Sequence, residues 1–260
     1  FRISGKGVKM ANEGGEWILH GISEDDPACI HTLEELTAFI NRVGFLPLFK
    51  NRVAGFSVEE RTAAEFWWTG DPLRDPWLWR QQAAFSGSVV YGRFFENKAG
   101  FVSREWFPEF ANFRRDGYDF DALWEDEKAS RRAKKIMDLF AEAPELYSFE
   151  VKSLAGYGPG GEKNFEGVIA GLQMQTYLCI RDFRRKKNKK GAEYGWAIAV
   201  YAMPEHLWGR DYITSAYGRD PGGSAGRVLQ QCLASFPAAR EDLLRKELGI
   251  SGLFPDGLRQ

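Results

Sequence analysis

Glu162-Lys-Asn-Phe-Glu-Gly-Val-Ile-Ala-Gly-Leu-Gln-Met-Gln-Thr-Tyr-Leu-Cys-Ile-Arg-Asp-Phe-Arg-Arg-Lys-Lys-Asn-Lys-Lys-Gly-Ala-Glu-Tyr-Gly-Trp-Ala-Ile-Ala-Val-Tyr201 decides the fold. From Glu162 to about Gln173, Phe165, Val168, Ile169 and Leu172 recur at helical spacing and predict one buried stripe. Two apolar runs follow, Tyr177 to Phe183 and Tyr194 to Tyr201, and read as strands. Between them Arg184 to Lys190 has six cationic side chains in seven residues and no acid, in a loop longer than a tight hairpin requires.

Upstream, Ala129 to Ala143 places Ala133, Ile136, Leu139 and Phe140 on one helical face, and Ser148 is positioned to cap a short helix to Leu154. Helix, helix, turn, helix, strand, basic loop, strand is the order of a winged helix, here expected over residues 128–203. The fold class expected is α+β: a polar lead-in over 1–30, an aromatic-rich helical and hairpin region over 31–127, the winged helix, and C-terminal helices over 204–260. In the second of these, Thr32-Leu-Glu-Glu35 and Ser57-Val-Glu-Glu60 are capping boxes that predict helices to Val43 and to about Trp67. Asp75-Pro76 starts a third helix, and Val89–Phe95 with Gly100–Val102 forms a hairpin around Glu96 to Ala99. No internal repeat is visible in the sequence.

The composition sets further bounds. At 260 residues with 44% apolar content the chain can bury a core, and no apolar run reaches the roughly eighteen residues of a membrane span. Without an apolar leader the expectation is no secretory signal, with Met10 a candidate natural start. Three widely spaced cysteines make no disulfide framework and fit a cytoplasmic location. The net charge of −1 conceals an asymmetry: residues 128–190 hold 14 Lys/Arg against 7 Asp/Glu, and the remainder 21 against 29. That points to an anionic partner, duplex DNA, for one part of the surface. Arg184, Arg185, Lys186, Lys187, Lys189 and Lys190 are the expected phosphate contacts, joined by Lys163 and Asn164 at the helix N-terminus. The helix face that carries Lys163, Gly167, Ala170 and Met174 is poor in side chains that read base edges.

Three weaker patterns carry little chemistry. Gly156-Tyr-Gly-Pro-Gly-Gly161 follows a helix rather than a strand, Gly222-Gly-Ser-Ala-Gly226 has no histidine after it, and His20, Cys29 and His31 match no standard ligand spacing. No metal or cofactor is expected. Phe66-Trp-Trp-Thr-Gly-Asp-Pro-Leu-Arg-Asp-Pro-Trp-Leu-Trp-Arg80 is the densest aromatic stretch. It reads either as core beneath defined turns or as a stacking pocket of Trp68, Trp77, Trp79, Arg80 and Tyr91, with Asp71 or Asp75 as the carboxylate.

Several strings resemble the AlkZ-related bacterial proteins over about residues 32–236: Gly44-Phe-Leu-Pro-Leu48, Gly70-Asp-Pro, Asp75-Pro-Trp-Leu-Trp-Arg80, Tyr91-Gly-Arg-Phe-Phe95, Lys98-Ala-Gly-Phe101, Arg114-Arg-Asp-Gly-Tyr-Asp-Phe120 and Leu172-Gln-Met-Gln-Thr-Tyr177. The resemblance implies DNA binding and, through relatives that are tandem winged-helix DNA glycosylases, excision of damaged bases. Those enzymes use a Gln-x-Gln or Gln-x-Asp element near the N-terminus, and this chain offers Gln173-Met-Gln175 at the end of its recognition helix. If 173 to 175 are helical, the two glutamines point about 160° apart; if extended, they share a side. The alternative to a repair enzyme is a non-catalytic winged-helix regulator or protein-interaction module.

Overall fold

The computed structural model describes residues 9–10, 17–188 and 190–250. A short antiparallel pair, β1 (Lys9–Met10) and β2 (Trp17–Ile18), precedes α1 (Leu33–Val43). Thr32 caps α1 by accepting the Glu35 N–H, Leu36, Ile40 and Val43 are buried, and Gly44 at φ 86 ends the helix. Then follow β3 (Phe45–Pro47), α2 (Pro76–Ser86) and the hairpin of β4 (Val89–Phe95) and β5 (Lys98–Ser103). The hairpin turn is shorter than expected: Glu96 and Asn97 alone form it, both at positive φ, as the twist of a two-residue turn demands. Next come α3 (Phe107–Arg115) and α4 (Phe120–Glu125).

The second half runs α5 (Arg131–Glu142), β6 (Glu145–Tyr147), α6 (Ser148–Leu154), α7 (Phe165–Met174), β7 (Cys179–Lys187) and β8 (Glu193–Ala202). It closes with α8 (Pro204–Trp208), α9 (Arg210–Ile213), α10 (Pro221–Ser235) and α11 (Glu241–Glu247). The result is a mixed α/β fold around a six-stranded sheet, order β3-β5-β4-β7-β8-β6, in which every neighbouring pair is antiparallel.

That order contains a repeat the sequence hides. One half reads helix, strand, helix, hairpin with strand order β3-β5-β4; the other reads helix, strand, two helices, hairpin with order β6-β8-β7. The two three-stranded sets meet through their inner strands at Tyr91↔Ile180, so one sheet crosses the boundary expected at 127/128. The exchange is reciprocal. Helix α2 lies on the other half's inner strand, where the Gln81 amide donates to Asp182 Oδ1 (3.2 Å) and the Phe183 carbonyl (2.6 Å). Helix α7 reaches back to β4, where Gln173 Oε1 accepts the Arg93 N–H at 3.1 Å. The C-terminal carbonyls of α2 are in turn satisfied by the Arg181 guanidinium, which donates to the Ala84 carbonyl at 2.8 Å.

Three local expectations are corrected. The helix expected from Ser57 to Trp67 is two 3-10 turns, Glu59–Arg61 and Ala64–Phe66. Its capping interaction forms, with the Glu60 N–H on Ser57 Oγ, but the Arg61 and Thr62 carbonyls are taken by the N–H groups of Ile30 and Ile22 and leave the helical ladder. The α6 cap is Tyr147, whose N–H the Glu150 carboxylate accepts, because residues 145–147 are already a strand paired to β8. Ala170, expected on the open face of α7, is buried. Of the lead-in, residues 1–8 and 11–16 lie outside the described residues, while Leu19, Cys29 and Ile30 are buried in the body.

Arg115, fully buried, ties α3 to the segment after α7 and to α8. It donates to Thr176 Oγ1 (3.1 Å), the Thr176 carbonyl (2.7 Å) and Glu205 (2.5 Å). Removing it strands Glu205, whose second oxygen already has no partner. Arg115→Met is expected to lower the unfolding free energy by about 3–5 kcal/mol, read as a fall in the urea midpoint.

Candidate nucleic-acid interface

The β7–β8 hairpin projects its cations unequally. Pairing fixes the register as Arg184↔Ile198, Lys186↔Tyr194 and Lys187↔Glu193, with the loop residues Asn188 to Ala192 closed by the Asn188 N–H on the Ala192 carbonyl. Arg184 is held within the fold: its Nε donates to Asp182 Oδ2 at 2.5 Å and its terminal nitrogens pair with both oxygens of Glu145 on β6. The Glu145 carboxylate foremost, then Asp182, keep the guanidinium protonated well above its ordinary range. Lys186 is half-buried, its Nζ 4.3 Å from the centre of the Phe149 ring. Arg185, Lys187 and Lys190 are exposed and have no ion pair among the described residues. Lys189 lies outside the described residues.

At the start of α7, Asn164 occupies the cap position at φ 66 with its side chain not engaged in the cap, and Lys163 is exposed beside it. Glu162 holds two α5 cations, Arg132 at 3.0 Å and Lys135 at 2.8 Å. Of the eight expected phosphate contacts, Lys163, Arg185, Lys187 and Lys190 are the cations left exposed without an ion pair among the described residues.

The aromatic stretch packs at the base of this hairpin. Arg80 lies between the rings of Trp77 (3.5 Å) and Phe183 (3.9 Å), one residue before Arg184, and burial pushes its pKa down. Tyr91, buried on β4, sets its ring against Phe101 and Phe183. Trp68 and Trp77 are partly buried against one another and against Trp67 and Phe49, and Trp79 is wholly buried with its indole N–H unpartnered. Asp75 is buried and accepts three backbone N–H groups, from Trp68, Gly70 and Trp77, at 2.9–3.1 Å. The Asp71 carboxylate is exposed and accepts the Leu73 N–H, while its carbonyl accepts those of Arg74 and Asp75. The structure thus gathers Trp77, Arg80 and Tyr91 around Phe183, while the two aspartates serve turns. A cleft of 690 Å³ lies elsewhere, lined by Glu24, Asp26, Cys29, His31 and Arg61 among others. No group of three or more metal-binding side chains occurs among the described residues. Nor is any helix there long and apolar enough to cross a membrane.

Residues 30–249 match the model of the AlkZ-related family. The chain belongs to that family. The solved structure of the Streptomyces sahachiroi DNA glycosylase AlkZ is similar at 14% identity, over 87% of this chain and 61% of that one, with a TM-score of 0.42. This chain therefore spans less than two thirds of that glycosylase's length. No curated protein matches the sequence.

In this AlkZ-related chain the strings that carried the resemblance fall on the sheet and its supports. Gly44–Leu48 includes β3, Tyr91–Phe95 lies in β4, Lys98–Phe101 in β5, and Leu172–Tyr177 ends α7. Gln173 and Gln175 are not brought together. Gln173 is fully buried, its oxygen on the Arg93 N–H and its nitrogen on the Ile169 carbonyl, whereas Gln175 is the exposed C-cap of α7. A signal for this existed: Gln173 sits one residue after Leu172 on the buried stripe.

Gln173→Ala leaves the Arg93 N–H unsatisfied in the interior and is expected to cost about 1–3 kcal/mol of stability. Gln175→Ala, on the surface, should stay within about 0.5 kcal/mol. Urea unfolding of the two variants reads the contrast.

Proposed function

We propose that α5 to β8 form a winged helix with α7 as its recognition helix, and that the protein binds duplex DNA through it. The observation that carries this reading is the element order with strand order β6-β8-β7, joined to a hairpin whose Arg185, Lys187 and Lys190 have no carboxylate partner among the described residues. Cations held by Glu145 and Glu162 are already neutralised; the open ones displace counterions from phosphate. Lys163 and Asn164 add a helix N-terminus.

The exposed side of α7 offers Lys163, Asn164, Glu166 and Gly167, which gives few donors for base edges. Phosphates and groove shape, rather than a fixed sequence, are what this surface fits. Affinity for a labelled duplex should fall linearly in log–log against salt, and Arg185→Ala/Lys187→Ala/Lys190→Ala should flatten that slope by about 0.9 per lost contact. An unchanged slope in the triple variant rejects the hairpin as the DNA-binding element.

Family membership favours a second reading, base excision. Against it stands the engagement of Gln173 within the fold, which leaves Gln175 without a paired carboxamide. Duplex carrying N7-alkylated guanine, incubated with the protein and scored for abasic sites, is therefore expected to match the protein-free control. Product that disappears in Gln175→Ala would establish excision instead.

A further inference from the structure

The second strand of the hairpin has a feature that phosphate contact does not use. Between the pairs Arg184↔Ile198 and Lys186↔Tyr194, the single β7 residue Arg185 stands opposite Gly195, Trp196 and Ala197 of β8. Those residues form a bulge, and Gly195 at φ 75 lets the chain leave the ladder, a conformation that a side chain there would strain. At its crest Trp196 is 83% exposed, more than any other large apolar side chain among the described residues. No ring, cation or hydrogen-bond partner engages its indole there. Trp67 and Trp79, by contrast, are buried, and Trp68, Trp77, Trp106 and Trp208 pack against the core.

An apolar protein partner would meet a contiguous apolar patch; here the exposed side chains around Trp196 are the polar-tipped Tyr194, 51% exposed and two residues away on the same strand, and the cations Arg185 and Lys187 of the strand opposite, beside the small Gly195 and Ala197. One flat, amphipathic ring among cations suits a nucleobase with its phosphates. We propose that Trp196 is a base-stacking residue that enters duplex DNA at a step where a base is missing or unpaired, while Arg185, Lys187 and Lys190 hold the flanking phosphates. This rests on the hairpin being the DNA-binding element. In intact duplex the bases already stack on each other, and opening a step costs a few kcal/mol; at an abasic step that cost is gone. The bulge thus supplies a preference for distorted duplex that the recognition helix lacks the side chains to provide.

The test is anisotropy titration of two labelled duplexes, one fully paired and one with a tetrahydrofuran abasic analogue opposite 2-aminopurine. The wild-type protein is expected to bind the abasic duplex roughly tenfold more tightly and to quench the 2-aminopurine. Trp196→Ala should keep its affinity for the paired duplex within about twofold and lose both the preference and the quench, and Trp196→Phe should retain part of each. The triple cation variant should weaken both duplexes while keeping their ratio. If the wild type binds paired duplex without preferring the abasic one, or Trp196→Ala keeps the preference, the stacking role is rejected and DNA binding stands. If neither duplex binds at low salt, both fall.

Discussion

The fold depends on the seam where β4 meets β7. Tyr91 and Ile180 pair there, and each half sends the helix before its hairpin across the seam: α2 through Gln81 onto Asp182 and Phe183, α7 through Gln173 onto Arg93. An inner strand would otherwise expose a row of N–H and C=O groups, an edge that invites unwanted pairing. Joining two such edges removes both and lets one hydrophobic core run from Leu19 to Ile250. The crossing amides make the junction specific, because a slip in register would leave buried polar groups unsatisfied.

The seam also sets where the candidate interface sits. Asp182 receives Gln81 from α2 and holds Arg184, while Glu145 takes the other side of the same guanidinium. The root of the hairpin is thereby fixed to both halves, and the residues beyond it are the ones most open to solvent. Arg80, stacked between Trp77 and Phe183, seals the apolar base below. The aromatic stretch is thus a support for the hairpin.

Much of this frame was legible locally. The caps at Thr32 and Asp75, the spacing of Ala133, Ile136, Leu139 and Phe140, and the stripe of α7 are short-range signals, and each produced its helix. Other parts were not. Residues 57–67 open on a capping box, yet N–H groups of Ile22 and Ile30 capture the carbonyls of Thr62 and Arg61. Strand β6 is three residues long, too brief to show a period. The likeness of the two halves leaves no trace in the sequence, because connectivity and strand order, not side chains, are what they share. The apolar run from Tyr194 to Tyr201 gives no sign of the bulge, which appears only once β7 is laid beside β8.

The sequence by itself determined the helices, the hairpins and the concentration of positive charge between residues 128 and 190, since capping, periodicity and composition act over a few neighbouring residues. Only the tertiary structure decided which cations remain open, which glutamine is buried and which tryptophan is most exposed. Those outcomes turn on partners far away in the chain: Arg184 meets Glu145 across 39 residues and Gln173 meets Arg93 across 80. Whether a polar group is satisfied or free depends on what folding brings beside it, and no local pattern records that.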